Sequence, residues 1–225
     1  MKNELKEALL PLYEEINFSD FSTTDLCIFN VQVGSEWEKE NGLLFVGKAV
    51  NGWKSISEGI ESLFDYDKEP LEWVEKNVNK ENYNTNRSAF WRIIKKISQQ
   101  VLNDEKTWYK KIAWSNLCKV SPNKGNPNTA DFYKQEGLCK KILQKEIEIL
   151  KPKAVILFTS DWDILGVNDN EFEEISKENW EDTFSVLYKK GNIFYIHSDH
   201  PQGKPEEAHK EAIYKLLTEI NNDRN

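Results

Sequence analysis

Two histidines and an aspartate lie close together near the carboxyl terminus, as His197, Asp199 and His200. Asp161 follows an earlier apolar run and comes close to them if the two runs are neighbours in a sheet. Imidazole and carboxylate groups can transfer protons or ligate a metal ion. Their spacing matches no specific metal motif, so we expect no metal here and keep a metal-dependent enzyme as an alternative.

A second polar segment, SNLCK (residues 115–119), follows the apolar run IAW (residues 112–114). A strand that only holds a core together usually ends at a plain turn, whereas this one delivers an amide and a lysine to its carboxyl end. Ligands of open parallel sheets bind at such carboxyl ends. Asn116 is therefore a candidate binding residue, and the alternative is that it caps a turn.

Four short apolar runs have the composition of buried strands, and helical patterns separate them. The runs are residues 43–46, 112–114, 154–158 and 193–196, and the helical patterns are residues 3–16, 88–102, 129–150 and 206–222, with Asn128 or Thr129 as the N-cap of the third. This alternation predicts an α/β fold, a three-layer α/β/α sandwich around a central, mainly parallel four-stranded sheet. Residues 26–31 are expected to add an edge strand, and residues 184–188 to form a hairpin with the fourth run.

Length and composition favour one folded, acidic domain. The 225 residues contain no linker or repeat, so we predict a single domain over residues 1–225, with residues 1–25 as an N-terminal helical extension, and a monomer. The net charge of −8 means that the molecule as a whole repels nucleic acid, so any polyanion site must be local. Neither a signal sequence nor a membrane span is evident, which predicts a cytoplasmic protein that does not bind membranes. The three cysteines form no CxxC pair and are expected to be reduced thiols.

The remaining imidazole and basic groups have simpler interpretations. His197 is expected to be a buried imidazole with its hydrogen bonds made, and His209 to be solvated on the last helix. The helical pattern over residues 88–102 and the segment before it carry four cations that either form a solvated face or bind phosphate locally, namely Arg87, Arg92, Lys95 and Lys96.

Three segments resemble, in order and spacing, the motifs of the uracil-DNA glycosylase superfamily. They are GKAVNG (residues 47–52) after the first apolar run, Asn116 after the second, and His200-Pro201 after the fourth. The segment SNLCKVSP (residues 115–122) is similar to a motif of the iron-sulfur branch of that superfamily, and NRSAFW (residues 86–91) is similar, with an insertion, to a segment of the mismatch-specific branch. The resemblance covers residues 40–217 and implies the fold of that superfamily.

The resemblance implies a pocket for a base that has left the nucleic-acid stack. Asn116 matches the asparagine whose amide offers a donor and an acceptor to a pyrimidine, and His200 matches the histidine that stabilises charge on the departing base. The base-binding residues implied are Gly47, Ala49, Asn116 and the stacking rings Phe90 and Trp91. The lysines expected to meet phosphates are Lys48, Lys119, Lys124 and Lys204.

The chain also departs from the pattern of that superfamily. Ala49 stands where the uracil-specific branch has the aspartate that positions water. Asn51 is therefore the expected water-holding residue, with Asp199 or Asp161 as a source of negative charge. The cysteines of the iron-sulfur branch are nearly all missing, so we expect neither an iron-sulfur cluster nor any other cofactor.

The function implied by the resemblance is that of a DNA base-excision glycosylase, which hydrolyses the N-glycosidic bond of uracil or another damaged base. Its partner is single- or double-stranded DNA or another ligand that contains a nucleobase. The alternative is a binding protein that keeps the fold and the pocket but has lost hydrolysis, as Ala49 and the acidic composition suggest. A third hypothesis is a hydrolase of free nucleosides, because an acidic protein does not require DNA as its substrate.

Overall fold

The computed structural model of the chain describes residues 1–50, 52–76, 84–167 and 169–223. Its α-helices are α1 (Lys2–Glu14), α2 (Glu72–Lys76), α3 (Ala89–Leu102), α4 (Thr129–Leu150) and α5 (Glu206–Asp223). Its strands are β1 (Leu26–Ile28), β2 (Gln32–Val33), β3 (Leu43–Gly47), β4 (Lys54–Ser55), β5 (Ile112–Asn116), β6 (Val120–Pro122), β7 (Ala154–Phe158), β8 (Glu173–Trp180), β9 (Thr183–Lys190) and β10 (Ile193–Ser198).

The central sheet is mixed and contains seven strands in the order β2-β5-β3-β7-β10-β9-β8. The four apolar runs of the sequence form its four adjacent parallel strands, β5, β3, β7 and β10. Strand β2 pairs antiparallel with β5, and the hairpin of β9 with β10 is also antiparallel, as predicted. The α/β class is therefore confirmed, whereas the prediction of a four-stranded sheet is wrong in the number of strands.

Strand β8 is the main element that the apolar runs did not reveal. Its sequence EEISKENW is mostly polar, and most of its side chains are exposed or half-buried. It pairs with β9 at one edge of the central sheet. An edge strand with exposed side chains needs no continuous apolar stretch. Charged side chains on such a strand discourage pairing with another molecule.

The predicted edge strand over residues 26–31 is a second correction. Strand β1 pairs with β4 and β6 in a separate antiparallel sheet of three strands, and β2 forms the edge of the central sheet instead. The chain passes between the two sheets at Asn30, whose side chain accepts a hydrogen bond from the Val31 N–H. Residues 26–33 are all buried, so the hydrophobicity of the sequence did not show where β1 ends and β2 begins.

The two faces of the central sheet carry separate hydrophobic cores, because side chains alternate along each strand. On β3, Leu44 and Val46 belong to the core that includes residues of α1 and α4. Leu43 and Phe45 point the other way and belong to the core that includes residues of α3 and α5. Helix α4 begins at the predicted N-cap Asn128, which accepts a hydrogen bond from the Asp131 N–H.

A buried ion pair connects the segment after β5 to helix α4. The Lys119 ammonium lies 2.8 and 2.9 Å from the two carboxylate oxygens of Glu146, and it donates to Ser115 Oγ at 2.7 Å. Ser115 in turn donates to Glu146 at 2.6 Å, and none of the three residues is accessible to solvent. The expectation that Lys119 meets a phosphate is therefore corrected, because its ammonium group faces the interior and is fully occupied.

Replacing Lys119 with Met leaves the Glu146 carboxylate buried without a counterion. We expect Lys119→Met to lower the free energy of unfolding by about 3–5 kcal/mol, the usual cost of breaking a buried pair. Urea unfolding of wild type and variant measures this difference.

Two further variants serve as controls for that experiment. Lys119→Met combined with Glu146→Leu removes both charges and should recover much of the loss. Lys145→Met breaks the exposed Lys145–Glu148 pair on the same helix and should cost about 0–1 kcal/mol. A cost for Lys119→Met no greater than that for Lys145→Met would contradict the structural role of the buried pair.

Candidate functional site

The carboxyl ends of the four parallel strands bring the candidate residues together. Gly47 at the end of β3 pairs in register with Asn116 at the end of β5. The segment after β7 joins the end of β10, since the Thr159 and Ser160 N–H groups both donate to the Ser198 carbonyl. We call the region formed by Gly47, Lys48, Phe90, Asn116 and His200 the strand-end cleft.

Gly47 allows two functional side chains to approach the backbone of β3. A Cβ atom at this position would lie 2.6 Å from Asn116 Oδ1 and 3.3 Å from the ring of Phe90. Both distances are shorter than ordinary contacts, so no larger residue fits without movement of Asn116. The glycine predicted for base binding is thus required for the close packing of Asn116 and Phe90.

Asn116 carries a buried donor whose partner is missing among the residues that the structure describes. The residue is 2% exposed, and its Nδ2 makes no hydrogen bond to any described group. Leaving such a donor unpaired costs about 1–3 kcal/mol. Asn51, which the sequence predicts to hold a water, lies outside the described residues.

His200 presents a half-buried imidazole beside Phe90. The two rings are parallel to within 10°, with centroids 6.1 Å apart. Its Nδ1 accepts a hydrogen bond from the Gln202 N–H at 3.2 Å, so the neutral ring carries its proton on Nε2. Burial, and secondly the charge of Lys48, lower the pKa of His200 below its ordinary value, which favours this neutral form at pH 7.

Ser160 contacts both His197, in β10, and His200, in the loop that follows β10. It adopts the left-handed conformation with φ of 50°, and its Oγ accepts a hydrogen bond from the His200 N–H at 2.9 Å. Its carbonyl oxygen lies 2.7 Å from His197 Nε2. His197 therefore makes the expected hydrogen bond, although its ring is only partly buried.

Lys48 supplies a positive charge to the strand-end cleft. Its Nζ lies 3.6 Å from a carboxylate oxygen of Asp161 and 5.2 Å from the centre of the Trp162 ring. The Asp161 side chain is 87% exposed, so this ion pair is weak. Ala49, the next residue, is half-buried and carries only a methyl group.

The two predicted stacking residues have different environments. Phe90 lies against His200, as described above, whereas Trp91 is 3% exposed and packs edge-on against Trp73 and Trp114. Trp91 thus belongs to an aromatic core behind the strand-end cleft. Phe90 is the ring that the structure places next to the candidate site.

The other predicted phosphate-binding lysines lie at the surface. Lys124 is exposed in the loop between β6 and α4. Lys204 forms an ion pair of 2.6 Å with Asp199, which also accepts a hydrogen bond from the Thr183 hydroxyl. Burial raises the pKa of Asp199, but its bonds to Lys204 and Thr183 outweigh burial and hold that pKa below its ordinary value. Asp199 is therefore an ionised partner of Lys204.

His209 is the polar residue whose position the sequence interpretation missed. It was expected to be solvated, yet it is fully buried, with Nε2 2.7 Å from Ser198 Oγ and its ring stacked on Trp180 at 4.2 Å. The missed signal is helical spacing, since His209 lies four residues before Ile213 and seven before Leu216 on the buried stripe of α5.

Three findings concern metal binding, membrane spans and similarity to known proteins. Over the described ranges, no three His, Cys, Asp or Glu side chains are grouped closely enough to hold a metal ion. No described helix is long and apolar enough to cross a membrane. No family model matches the chain, and the comparison with curated proteins yields no match either.

Gly47→Ala tests whether this glycine is needed for close packing. We expect the added methyl group to displace Asn116 and to lower the free energy of unfolding by about 1–3 kcal/mol. Gly137→Ala on helix α4 is the matched control, because a Cβ there meets no atom within 4 Å. It should raise stability by about 0.5–1 kcal/mol. Equal effects of the two substitutions in urea unfolding would refute the packing argument.

His209 makes the stability of the fold depend on pH. Burial lowers its pKa in the folded protein from 6.5 to about 4, so folding favours the neutral ring. This contribution is complete above pH 6.5 and is lost as the pH falls towards 4, a change of about 3 kcal/mol. His209→Phe should flatten the pH dependence of the unfolding free energy in that window. An unchanged slope would rule out His209 as its source.

Proposed function

We propose that the strand-end cleft binds a nucleobase and that the protein hydrolyses its N-glycosidic bond, as a DNA base-excision glycosylase for uracil or another damaged base. The observation that carries this proposal is the buried amide of Asn116, whose donor has no partner in the described part of the chain. A ligand with a carbonyl group could accept this hydrogen bond. Buried polar groups are normally paired, so an unpaired donor at a strand end favours a binding site.

The groups around Asn116 suit a flat, polar ring. Its amide can donate from Nδ2 and accept at Oδ1, which is the pairing that a base edge offers. The ring of Phe90 lies within contact range of Gly47 and supplies an apolar face beside the amide. A base taken out of a nucleic-acid strand is recognised in this way, by hydrogen bonds to its edge and by stacking.

His200 and Lys48 supply the groups that act on the departing base. Cleavage of an N-glycosidic bond leaves negative charge on the base and positive charge on the sugar. The neutral His200 imidazole can donate its Nε2–H to the growing negative charge, and the Lys48 ammonium adds a favourable field. The Ser160 hydroxyl and the Gln202 N–H hold His200 in place before the ligand arrives, so little reorganisation of its ring is needed during the reaction.

The arrangement of the chain supports the implied relationship to the uracil-DNA glycosylase superfamily as part of this proposal. Four adjacent parallel strands carry the three motif segments at their carboxyl ends, and helices pack on both faces of the sheet. Function in such sheets lies at those ends. We propose a three-layer architecture of that type, extended by the antiparallel strands β2, β9 and β8.

Binding without hydrolysis is the second candidate function. Ala49 provides no carboxylate to position water, and the two carboxylates that the sequence offers instead, Asp161 and Asp199, are each paired with a lysine. Asp161 is exposed and faces Lys48, and Asp199 is bonded to Lys204 and Thr183. A protein with this cleft could hold a base and fail to activate water.

Base release from DNA tests the proposed function. Labelled oligonucleotides that carry uracil, hypoxanthine or a mismatched base are incubated with the protein and then cleaved with alkali. We expect cleavage with at least one substrate and a decrease in rate of about 10²–10³-fold for His200→Ala, because the donor to the leaving group is lost. Asn116→Ala should reduce binding and rate together.

Asn41→Ala is the matched control for Asn116→Ala. Asn41 is exposed before the amino end of β3, at the opposite end of that strand from the cleft, and bonds only locally to Glu38. It should leave base release unchanged. Damage-dependent binding without cleavage would favour the binding protein, and the absence of both would contradict the proposed base-binding site.

A further inference from the structure

The cations on one side of the strand-end cleft are already paired with carboxylates. Arg92 Nε lies 2.8 Å from Glu206, and Lys96 Nζ lies 2.7 Å from the other oxygen of the same carboxylate. Lys96 also contacts Glu207, which lies 3.0 Å from Lys210. We call these five residues the α3–α5 ion-pair network. Arg92 and Lys96, which the sequence assigned either to a solvated face or to local phosphate binding, therefore belong to an ion-pair network between two helices.

The α3–α5 ion-pair network lies beside the site. Helix α3 begins at Ala89, next to Phe90, and α5 begins at Glu206, shortly after His200. Burial is the largest effect at Glu206 and raises its pKa, but the bonds to Lys96 and Arg92 outweigh burial and hold that pKa below its ordinary value. The pKa of Glu207 is also lowered, by its bonds to Lys96 and Lys210. These carboxylates are thus ionised at neutral pH and bonded to the cations of the network.

Other cations near the strand ends are also neutralised in part. Lys204 is paired with Asp199 at 2.6 Å, and Lys119 is buried against Glu146. Lys48 has only the weak pair with exposed Asp161, and Lys124 is exposed. Arg87, three residues before Phe90, is also exposed. Three of these cations therefore remain accessible to phosphates within the part of the chain that the structure describes.

A DNA duplex requires more positive charge than this surface offers. It carries one negative charge for roughly every 1.7 Å of its length, and tight binding usually neutralises about 6–10 phosphates. The net charge of −8 on this protein adds long-range repulsion. A single strand is flexible, can follow a short path between carboxylates, and needs no unpairing to present a base.

We infer that the base enters the strand-end cleft from single-stranded DNA that is contacted over two or three nucleotides. This inference rests on the proposed function and names the form of its substrate. Lys48, Arg87 and Lys124 meet the phosphates next to the base. The ring of Phe90 contributes stacking, which does not depend on the base sequence. In the α3–α5 ion-pair network, Arg92 and Lys96 are bonded to carboxylates, so they add little attraction for the second strand of a duplex.

Binding measurements test the inference without requiring catalysis. Fluorescence anisotropy compares a uracil-containing single strand with the duplex of the same sequence at several salt concentrations. We expect the single strand to bind at least about tenfold more tightly, with a slope of log K against log salt of about −1 to −2, as two or three contacts predict. Equal or tighter binding of the duplex, or a slope steeper than about −5, would overturn the inference.

Replacement of glutamates with neutral glutamines distinguishes the effect of the network on binding from the effect of the overall charge of the protein. Glu206→Gln with Glu207→Gln frees Arg92 and Lys96 and should raise duplex affinity about tenfold or more, with a smaller gain for the single strand. Glu148→Gln with Glu171→Gln makes the same change in net charge at exposed pairs outside the network, and should raise duplex affinity much less. Equal gains from the two double variants would refute the role of the network, provided that thermal unfolding shows both to be folded.

The outcomes distinguish failure of this inference from failure of the proposed function. Single-strand binding without base release leaves the inference intact and contradicts hydrolysis. Base release that is faster from the duplex supports the proposed function and overturns the inference. Binding of deoxyuridine without binding of either oligonucleotide also overturns it, because the ligand would then be a free nucleoside.

Discussion

The buried pair of Lys119 with Glu146 is the interaction on which the candidate site depends. Two opposite charges without solvent are stable only with close geometry and full hydrogen bonding, and Ser115 completes that bonding. The pair holds the ends of SNLCK (residues 115–119) against helix α4. Because side chains alternate along a strand, Asn116 then faces the opposite side of the sheet, towards Gly47 and Phe90. A structural ion pair on one face of the sheet thus helps to orient the candidate binding residue Asn116 on the other face.

The cleft is assembled from segments that are distant in the chain, and each has a separate structural support. Gly47 removes the side chain that would displace Asn116, and Ser160 bonds the backbone of His200 from the end of β7. Lys48 lies close enough to His200 to lower its pKa further. The proposed chemistry requires a neutral imidazole and a nearby positive charge, and burial and that charge both favour the neutral form at pH 7.

The pairing of cations with carboxylates also bears on which ligands are proposed for the site. An acidic protein binds a polyanion only where some cations are not paired with carboxylates. Arg92 and Lys96 of α3 are paired with Glu206 of α5. The charge pattern of α3 alone did not reveal this pairing, because the acidic partners lie on α5, more than a hundred residues later in the chain. Pairing between distant elements therefore occupies cations that, in the sequence alone, were candidates for binding phosphate.

The sequence by itself determined the α/β class, the four parallel strands and the bounds of the four long helices to within two residues, because hydrophobic runs and helical spacing are local signals. It left the N-cap of α4 between Asn128 and Thr129, and it did not reveal the short helix α2. It also indicated the strand ends as the place for Asn116 and His200. Only the tertiary structure decided that Lys119 is buried and that His209 is covered by Trp180. It also decided that β8 joins the sheet through polar side chains. Burial and ion pairing depend on which distant segments meet, and residue spacing along the chain does not contain that information.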